Sequence, residues 1–333
     1  MIRTVALFAG CGGLDLGFEK AGFDIIWAND NNKKVKETYE KNHPNTKLQI
    51  KNIVDIKPDE IPECDVIIGG PPCQSWSAAG AGKGKEDSRG QLFYDYVRLI
   101  KAKKPKAFVA ENVKGILSKR HVEAFNEIIE LFDKAGYKVT YKLLNAKDYG
   151  VPQDRERVFI IGTLKELNLE YNFPKPTHIK ENYITLKDAI GDLEENPGEV
   201  YEGSFSSMFM SRNRKRNWDE VGFTVQASGR QAQIHPSSPD MLVVGKDKRV
   251  FDPESDKVIR RMSVRECARI QTFPDNFEFL STVDESYKMI GNAVPVNLAM
   301  EVAKQLKLSL ENKNKAKEKS ERLLIDEVAI TKE

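Results

Sequence analysis

Cysteine and histidine are scarce in this sequence. Its 333 residues include four of each, and the cysteines are Cys11, Cys64, Cys73 and Cys267. No two of them form a CxxC pair, and no histidine lies near them at metal-ligand spacing. The pattern argues against a disulfide framework and against a zinc site, so we expect no bound metal and a reducing, cytoplasmic setting.

Long hydrophobic runs, internal repeats and an excess of one charge are also missing. No apolar stretch is long enough to span a membrane, and no signal-type hydrophobic region precedes the first strand-like run, Thr4–Phe8. The formal net charge is +2, so only local clusters of charge can indicate a polyanionic partner. With 40% hydrophobic and 31% charged residues, we expect a soluble globular protein with one large core or two smaller ones.

Short β-branched runs alternate with amphipathic stretches over residues 1–163, which predicts an α/β fold with a doubly wound, mostly parallel sheet. The predicted strands are residues 4–8, 24–28, 65–69, 106–110, 139–144 and 157–162. The predicted helices are residues 13–21, 32–41, 91–103 and 121–135. Ligands of such sheets bind outside the carboxyl ends of the strands.

The rhythm changes near residue 164, where prolines, serines and asparagines become frequent. We predict a smaller, loop-rich second domain over 164–285, with a helix at 263–272 whose N-cap is Ser263. Residues 287–306 are predicted to form a strand, a turn and a helix that return the chain to the first domain. That domain therefore comprises 1–163 and 286–310, and a mixed-charge tail, 311–333, follows it.

A glycine-rich loop, FAGCGGL at residues 8–14, lies between the first predicted strand and a helix. Glycines there allow a ligand to approach the backbone and the helix N-terminus. Asp30 follows the next strand, where a carboxylate can bind ribose hydroxyls. The spacing is not G-x-G-x-x-G, because residue 15 is Asp, so the loop favours a nucleoside cofactor and disfavours a nicotinamide oxidoreductase.

Two further loops at the same sheet edge carry a thiol and a carboxylate. Cys73 lies in GGPPCQSWS, residues 69–77, and Glu111 follows the strand 106–110. A lone cysteine is more often a small buried hydrophobe, and a lone glutamate there is more often a cap. The stiff turn around Cys73 and the shared edge instead favour a catalytic pair beside the nucleoside site.

The segment QDRER, residues 153–157, leads into the last predicted strand. Alternate residues of an extended segment point the same way, so Gln153, Arg155 and Arg157 are predicted to present one amide and two guanidiniums on one face. The alternative interpretation is a surface edge of salt bridges.

These groups fit the methylation of carbon 5 of cytosine by S-adenosylmethionine. A thiolate that adds to carbon 6 makes carbon 5 nucleophilic, while negative charge develops toward N3 and O2. Cys73 suits the nucleophile, Glu111 the proton donor at N3 and Arg157 the cation near O2. Nearby arginines would favour the thiolate, whereas Glu111 needs burial or coupling to the base in order to hold a proton at neutral pH.

Six ordered blocks, FAGCGG, GGPPCQSWS, ENVKG, QDRER, RECARIQTFPD and YKMIGNAVPV, resemble those of the DNA cytosine-5 methyltransferases and span about residues 4–305. The resemblance implies a class I methyltransferase fold, with Cys73 as nucleophile, Glu111 as acid, and Arg155 and Arg157 in the cytosine pocket. It implies a site for S-adenosylmethionine lined by Phe8, Gly10, Gly12, Gly13, Leu14, Asp30, Asn52, Ile53, Pro72, Leu92, Asn292 and Val294. Asn52 stands where the family usually has Asp, and its side-chain oxygen can still accept a hydrogen bond from the adenine amino group.

The resemblance also implies a double-stranded DNA substrate, with residues 74–91 as a loop that closes over it. The stretch SRNR…WxE…FTVQASGRQ…HP is similar to GGCC-specific (HaeIII-type) bacterial modification methyltransferases, and arginine is the commonest reader of guanine. We therefore expect Arg212, Arg214 and Arg230 to read guanines. The residues expected to contact DNA are Gln74, Ser75, Lys83, Lys85, Arg89, Arg212, Arg214, Arg216, Thr224 and Arg230.

The resulting expectation is a monomeric DNA cytosine-5 methyltransferase of a restriction–modification system, cytoplasmic and associated with a bacterial nucleoid. A tRNA cytosine-5 methyltransferase of the same fold is one alternative, although the roughly 100 residues between the Arg157 strand and Ser263 favour DNA. A catalytically silent DNA-binding protein is another, and the intact set of Cys73, Glu111 and Arg157 argues against it.

Overall fold

The computed structural model describes residues 1–72 and 88–312, except for the side chains of 88–91. A seven-stranded sheet forms its centre, with strands β1 (Ile2–Leu7), β2 (Phe23–Asp30), β3 (Lys47–Ile50), β4 (Val66–Gly69), β5 (Ala107–Val113), β6 (Tyr137–Asn145) and β7 (Glu156–Leu164). The spatial order is β3-β2-β1-β4-β5-β7-β6. The five strands β1 to β5 are parallel, and β7 runs antiparallel to both β5 and β6.

The helices are α1 (Gly13–Lys20), α2 (Lys36–Asn42), α3 (Ser88–Lys103), α4 (Val122–Lys134), α5 (Leu186–Ile190), α6 (Val264–Ile270) and α7 (Val283–Asn292). A further helix, α8, covers residues 296–312. A two-stranded ribbon, β8 (Met241–Gly245) and β9 (Lys248–Phe251), lies outside the main sheet. The doubly wound, mostly parallel sheet predicted from the sequence is thus confirmed.

The sheet is buried on both faces because its central strands are continuous apolar runs. On one face, Phe18 of α1 and Leu298, Val302 and Leu306 of α8 belong to a buried cluster that also contains Ile68 of β4. On the other face, α3 and α4 contribute aromatic side chains, and Phe132 stacks on Phe108 of β5 with ring centroids 4.1 Å apart. Crossover helices on both faces leave the carboxyl ends of the strands open at one edge.

A third apolar cluster joins the glycine-rich loop to the later part of the chain. Cys11, next to α1, packs in one group with Val225, Cys267 of α6, and Tyr287 and Ile290 of α7. Segments more than two hundred residues apart in sequence therefore share a core beside the first βα loop.

Two local predictions from the sequence were wrong. β3 was missed, because the sequence KLQI is short and only partly buried, and it offers no apolar run. The strand predicted at the start of 287–306 is helical instead, because α7 extends to Asn292 and has Thr282 as its N-cap. The predicted helix at 263–272 is confirmed as α6, and Ser263 forms a capping box with Glu266.

Among residues 1–72 and 88–312, no helix combines the length and the apolar character that crossing a membrane requires.

We predict that Gly17→Ala destabilises the protein. Gly17 of α1 is buried against α8, and a Cβ there would lie 2.7 Å from the carbonyl oxygen of Val296 and would also overlap Ala299. Overpacking of this kind costs about 1–3 kcal/mol, which outweighs the ~1 kcal/mol that alanine gains in helix propensity. Urea-induced unfolding measures the difference.

The matched control is Gly191→Ala, at a helical glycine with φ −61° whose nearest neighbour, Cγ of Lys187, would lie 3.5 Å from the new Cβ. We expect its unfolding midpoint to stay unchanged or to rise. Equal midpoints for the two variants would show that the contact between α1 and α8 relaxes freely.

Candidate active site

The glycine-rich loop after β1 has a strained backbone. Phe8, Gly10 and Gly12 all have positive φ, at 56°, 58° and 88°. A non-glycine residue such as Phe8 adopts this region at a cost of order 1–3 kcal/mol, and such strain is enriched at functional sites. The conformation turns the loop sharply at the edge where the strands end, and a Cβ on Gly10 would meet no atom within 4 Å. The backbone of Gly10 is therefore open to a ligand.

Asp30 holds this loop from the end of β2. Its Oδ2 accepts from the backbone N–H of Gly10 at 2.8 Å, and its Oδ1 accepts from Asn32 N–H at 2.8 Å. Burial raises the pKa of Asp30, against the lowering effect of these N–H donors. Each carboxylate oxygen can accept more than one hydrogen bond, so Asp30 remains able to bind a hydroxyl group.

Other residues expected to line a cofactor site surround the same edge. A Cβ on Gly13 would lie 2.7 Å from the carbonyl oxygen of Val294, so the segment after α7 runs directly beside the loop. Asn29 donates to the carbonyls of Gln49 and Lys51 at 3.0 and 2.8 Å, which holds the segment leading to Asn52 against β2. The remaining residues differ in exposure: Leu14, Ile53 and Val294 are buried, Phe8, Pro72 and Leu92 are half-buried, and Asn52 and Asn292 are exposed.

Glu111 and Arg157 form an ion pair across neighbouring strands. The antiparallel register of β5 and β7 aligns Val113 with Arg157, and the Nε of Arg157 lies 2.8 Å from Oε1 of Glu111. Both side chains are largely buried, 11% exposed for Glu111 and 14% for Arg157. Burial raises the pKa of Glu111, although the charges of Arg157 and Arg155 oppose this effect. A carboxyl group of this kind can hold a proton more readily than a solvated glutamate.

The chain that leads to Cys73 passes close to Glu111. Asn112, the next residue of β5, donates from Nδ2 to the carbonyl oxygen of Pro71 at 3.1 Å. A Cβ on Gly70 would lie 3.4 Å from Oε2 of Glu111. The structure therefore brings together Glu111, Arg157 and the prolines that immediately precede Cys73.

Several predicted residues lie outside the described part of the chain. Cys73 itself, Gln74, Ser75, Lys83 and Lys85 belong to this group, as does the side chain of Arg89. The backbone of residues 88–91 belongs to α3, so the loop expected over 74–91 was drawn too long at its C-terminal end.

Arg155 differs from Arg157 in what it contacts. It is 1% exposed, and its terminal nitrogens donate to the carbonyls of Val225, Gly291 and Ala293 at 3.1, 2.8 and 3.1 Å. Of the three residues predicted to share one face, Gln153 and Arg155 both bind the backbone of Val225, whereas Arg157 pairs with Glu111. The alternation rule applies within a strand, and β7 begins only at Glu156.

Gln153 and Gln271 complete a buried polar cluster around Arg155. Gln153 donates to Gln271 Oε1 at 2.6 Å and accepts from the N–H of Val225 at 3.1 Å. Gln271 donates in turn to the carbonyls of Ile290 and Ala293. We call Gln153, Arg155 and Gln271 the polar hub. The sequence blocks contained these residues, but nothing in the pattern indicated that Gln153 binds Gln271 or that each of the three binds the Val225 or the Ile290–Ala293 segment.

The residues expected to read DNA lie in two parts of the chain, the basic stretch 212–216 and the turn that carries Arg230. Arg212 is exposed, and Arg214 stacks on the ring of Phe209 at 5.2 Å and donates from Nε to its carbonyl at 3.4 Å. Burial and the charge of Arg212 together lower the pKa of Arg214, so the two cations lie close enough to repel each other. An anion between them would relieve that repulsion.

Two members of the basic stretch have structural partners. Arg216 stacks on Phe223 at 4.1 Å and pairs with Glu220 at 2.9 Å, and Lys215 is a buried partner of Asp240. Thr224 donates from Oγ1 to the carbonyl of Asp154 at 2.6 Å. Arg230 is exposed and lies in the turn Gly229–Gln231.

The three cysteines that the structure describes are poor nucleophiles. Burial raises the pKa of Cys11 and of Cys64 to about 12, and it also raises the pKa of Cys267. The thiolate is the reactive form, and these sites disfavour it. The described residues also contain no group of three or more His, Cys, Asp or Glu side chains arranged to hold a metal ion.

A doubly wound seven-stranded sheet, with a glycine-rich loop after its first strand and an acidic residue after its second, defines the class I S-adenosylmethionine-dependent methyltransferase fold. Solved structures agree with this fold. The Entamoeba histolytica methyltransferase EhMeth superposes with a TM-score of 0.73 at 22% identity, over 93% of this chain and 99% of that one. The S. pombe Dnmt2 methyltransferase superposes with a TM-score of 0.64 at 19% identity, over 94% and 100%.

Residues 2–308 match the family of C-5 cytosine-specific DNA methylases, and the chain belongs to that family. Similar relatives include the Type II methyltransferase M.MthTI of Methanothermobacter thermautotrophicus, 54% identical over 92% of this chain and 97% of the relative. The Type II methyltransferase M.NgoPII of Neisseria gonorrhoeae is 52% identical over 93% and 96%.

We predict that Arg155→Lys lowers the free energy of unfolding by about 1–3 kcal/mol, because an ammonium cannot reproduce the planar guanidinium contacts and leaves buried carbonyls unpaired. Arg249→Lys is the control, at a half-buried arginine with a bond to the carbonyl of Met241 at 3.2 Å. Urea unfolding should show a loss for the first variant and a change within ~0.5 kcal/mol for the second. Equal losses would contradict the role of the polar hub.

Proposed function

We propose that this protein is the modification methyltransferase of a type II restriction–modification system, with S-adenosylmethionine as methyl donor and GGCC as its site in duplex DNA. The similar Type II methyltransferases support the first part. The buried pair of Glu111 and Arg157, next to the prolines before Cys73, is the observation that carries the chemistry.

The residues at the sheet edge fit the donor. The open space beside Gly10 suits the close approach of a nucleoside to the backbone. The carboxylate of Asp30 suits the ribose hydroxyls, and the Asn52–Ile53 segment suits the adenine. When bound there, S-adenosylmethionine supplies an electrophilic methyl group. Phe8, Gly12, Gly13, Leu14, Pro72, Leu92, Asn292 and Val294 complete the proposed lining.

The proposed chemistry assigns each step to a residue of this chain. The thiolate of Cys73 bonds to carbon 6 of the flipped cytosine, and the electron pair displaced from the ring is received at N3, where Glu111 gives a proton. Arg157 stabilises charge at O2. Carbon 5 takes the methyl group, and the electron pair of the broken sulfur–methyl bond stays on S-adenosylhomocysteine. Carbon 5 then loses its proton to solvent, the electron pair of that bond re-forms the C5–C6 double bond and expels the thiolate, and N3 returns its proton to Glu111.

The recognition of GGCC is proposed to rest on Arg212, Arg214 and Arg230, and Thr224 fixes the segment that carries Arg230. Flipping one cytosine out of the duplex costs a few kcal/mol, which contacts to the rest of the site offset. We infer that residues 1–163 and 286–310 perform catalysis, that 164–285 read the target, and that a monomer in the cytoplasm suffices.

Bisulfite mapping of a plasmid treated with the enzyme and S-adenosylmethionine tests this proposal. We expect 5-methylcytosine within GGCC and at no other sequence, and no methylation by Cys73→Ala. Methylation of tRNA without methylation of duplex DNA would overturn the choice of substrate, and methylation at a different sequence would overturn GGCC alone.

Glu111→Gln should lower the single-turnover methylation rate about 10²–10⁴-fold, the usual contribution of a positioned proton donor. The donor must be protonated, and burial raises the pKa of Glu111, so the rate of the native enzyme should fall on the alkaline side. The charge of Arg157 lowers that pKa, and Arg157→Gln should move the alkaline fall to higher pH.

The control is Glu156→Gln, next in the chain to Arg157 and paired on the surface with Lys114 at 2.8 Å. Its rate should stay within about twofold of the native rate. A pH profile of Glu111→Gln that keeps the native alkaline fall would show that another group donates the proton.

A further inference from the structure

Arg230 is exposed in a tight 3-10 turn, Gly229–Gln231, and its guanidinium has one anchoring contact. Its Nε donates to the hydroxyl oxygen of Tyr201 at 3.1 Å. Within residues 1–72 and 88–312, its two terminal nitrogens form no hydrogen bond or ion pair. An arginine bound only through Nε directs its two-pronged end away from the anchor.

The ring of Tyr201 is fixed on several sides. A Cβ on Gly229 would lie 2.8 Å from the ring, and one on Gly203 would overlap it, so both glycines allow the backbone to lie directly against the tyrosine. The backbone N–H of Tyr201 donates to the hydroxyl of Tyr287 at 3.3 Å. Arg261 lies over the ring at 5.2 Å and donates to the Tyr201 carbonyl at 3.4 Å. The phenol oxygen therefore has a defined position.

The segment that carries Arg230 is also fixed at its other end. Both backbone groups of Val225 bind the polar hub. A Cβ on Gly291 would lie only 2.4 Å from backbone atoms of Gln226 and Ala227, so the segment crosses the end of α7 in close contact. What remains free is the rotation of the Arg230 side chain itself, and the bond from Nε to Tyr201 limits it.

We propose that Tyr201 is a positioning residue for guanine recognition: its hydroxyl holds the Arg230 guanidinium so that the terminal nitrogens meet O6 and N7 of one guanine. The inference rests on the proposed function, in which Arg230 reads a guanine. A bidentate contact needs both nitrogens in one plane with the base edge, and a guanidinium already oriented loses less conformational freedom on binding. Arg214 has a parallel arrangement, with its Nε on the carbonyl of Phe209.

Tyr201→Phe tests the inference, because it removes the hydroxyl and keeps the ring between the two glycines. The assay measures kcat/KM on a GGCC duplex and on duplexes in which one guanine at a time is replaced by 7-deazaguanine, which lacks the N7 acceptor. For the native enzyme, replacement of the guanine that Arg230 contacts lowers kcat/KM. In Tyr201→Phe, we expect this penalty, the fold-decrease in kcat/KM caused by 7-deazaguanine, to become about tenfold smaller at that position alone, a change equivalent to about 1.4 kcal/mol. We also expect a higher KM and an unchanged single-turnover rate constant.

Two further variants separate the possible outcomes. In Arg230→Ala, the added Tyr201→Phe change should have no effect, because the hydroxyl acts through the guanidinium. Tyr183→Phe removes another tyrosine hydroxyl, which donates to Asp148 at 2.8 Å, and should leave every penalty unchanged.

If Arg230→Ala keeps all the penalties, Arg230 is not a guanine reader, and that part of the proposed function fails together with the inference. If Arg230→Ala removes one penalty but Tyr201→Phe keeps it, the inference fails and the proposed function stands. A uniform loss of kcat/KM on all duplexes in Tyr201→Phe would show a structural role and would likewise overturn the inference.

Discussion

The buried guanidinium of Arg155 is the interaction on which the rest of the site depends. It lies just before β7, and its three carbonyl partners come from two other segments, Val225 in one and Gly291 and Ala293 in the other. Removing such a cation from water is costly, and hydrogen bonds offset that cost only when the geometry is correct. Burial lowers the pKa of Arg155, which expresses the same cost. The guanidinium therefore requires all three carbonyls in place, which ties the two segments to the start of β7.

The contacts of Arg155 connect three segments of the chain. The strand that begins after Arg155 carries Arg157, the segment of Val225 leads to Arg230, and the segment of Ala293 leads to Val294 beside Gly13. Gln153 and Gln271 bind each other and the same two segments. A displacement of any one segment would leave buried polar groups unpaired, so the relative positions of Arg157, the loop beside Gly13 and the segment of Arg230 are set together.

The sequence predicted the parts of this structure that follow from local patterns. Apolar β-branched runs and glycine-rich turns located six of the seven strands of the main sheet and the edge where Asp30 and Glu111 lie. The pattern failed for β3, which is half-exposed, and for the strand expected at the start of 287–306, where the apolar content suits a buried helix as well as a strand. It also did not show that Arg155 is bound to backbone carbonyls while Arg157 pairs with Glu111, because residue type and spacing do not reveal which guanidinium is already bound by the protein. Contacts between distant segments, such as Gln153 with Gln271 or Arg230 with Tyr201, have no signature in a single sequence.

The sequence also does not reveal which positive charges remain unpaired in the folded protein. A net charge of +2 does not indicate a polyanionic partner, and within the basic stretch Lys215 and Arg216 are neutralised by Asp240 and Glu220. Arg212 and Arg230 are exposed, and neither forms an ion pair within the described residues. What a DNA duplex encounters is therefore determined by which cations the fold leaves unpaired, and not by how many the chain contains. By binding some arginines internally and leaving the terminal nitrogens of Arg230 unbonded within the described residues, the fold separates guanidiniums that hold the structure together from one that is available to a ligand.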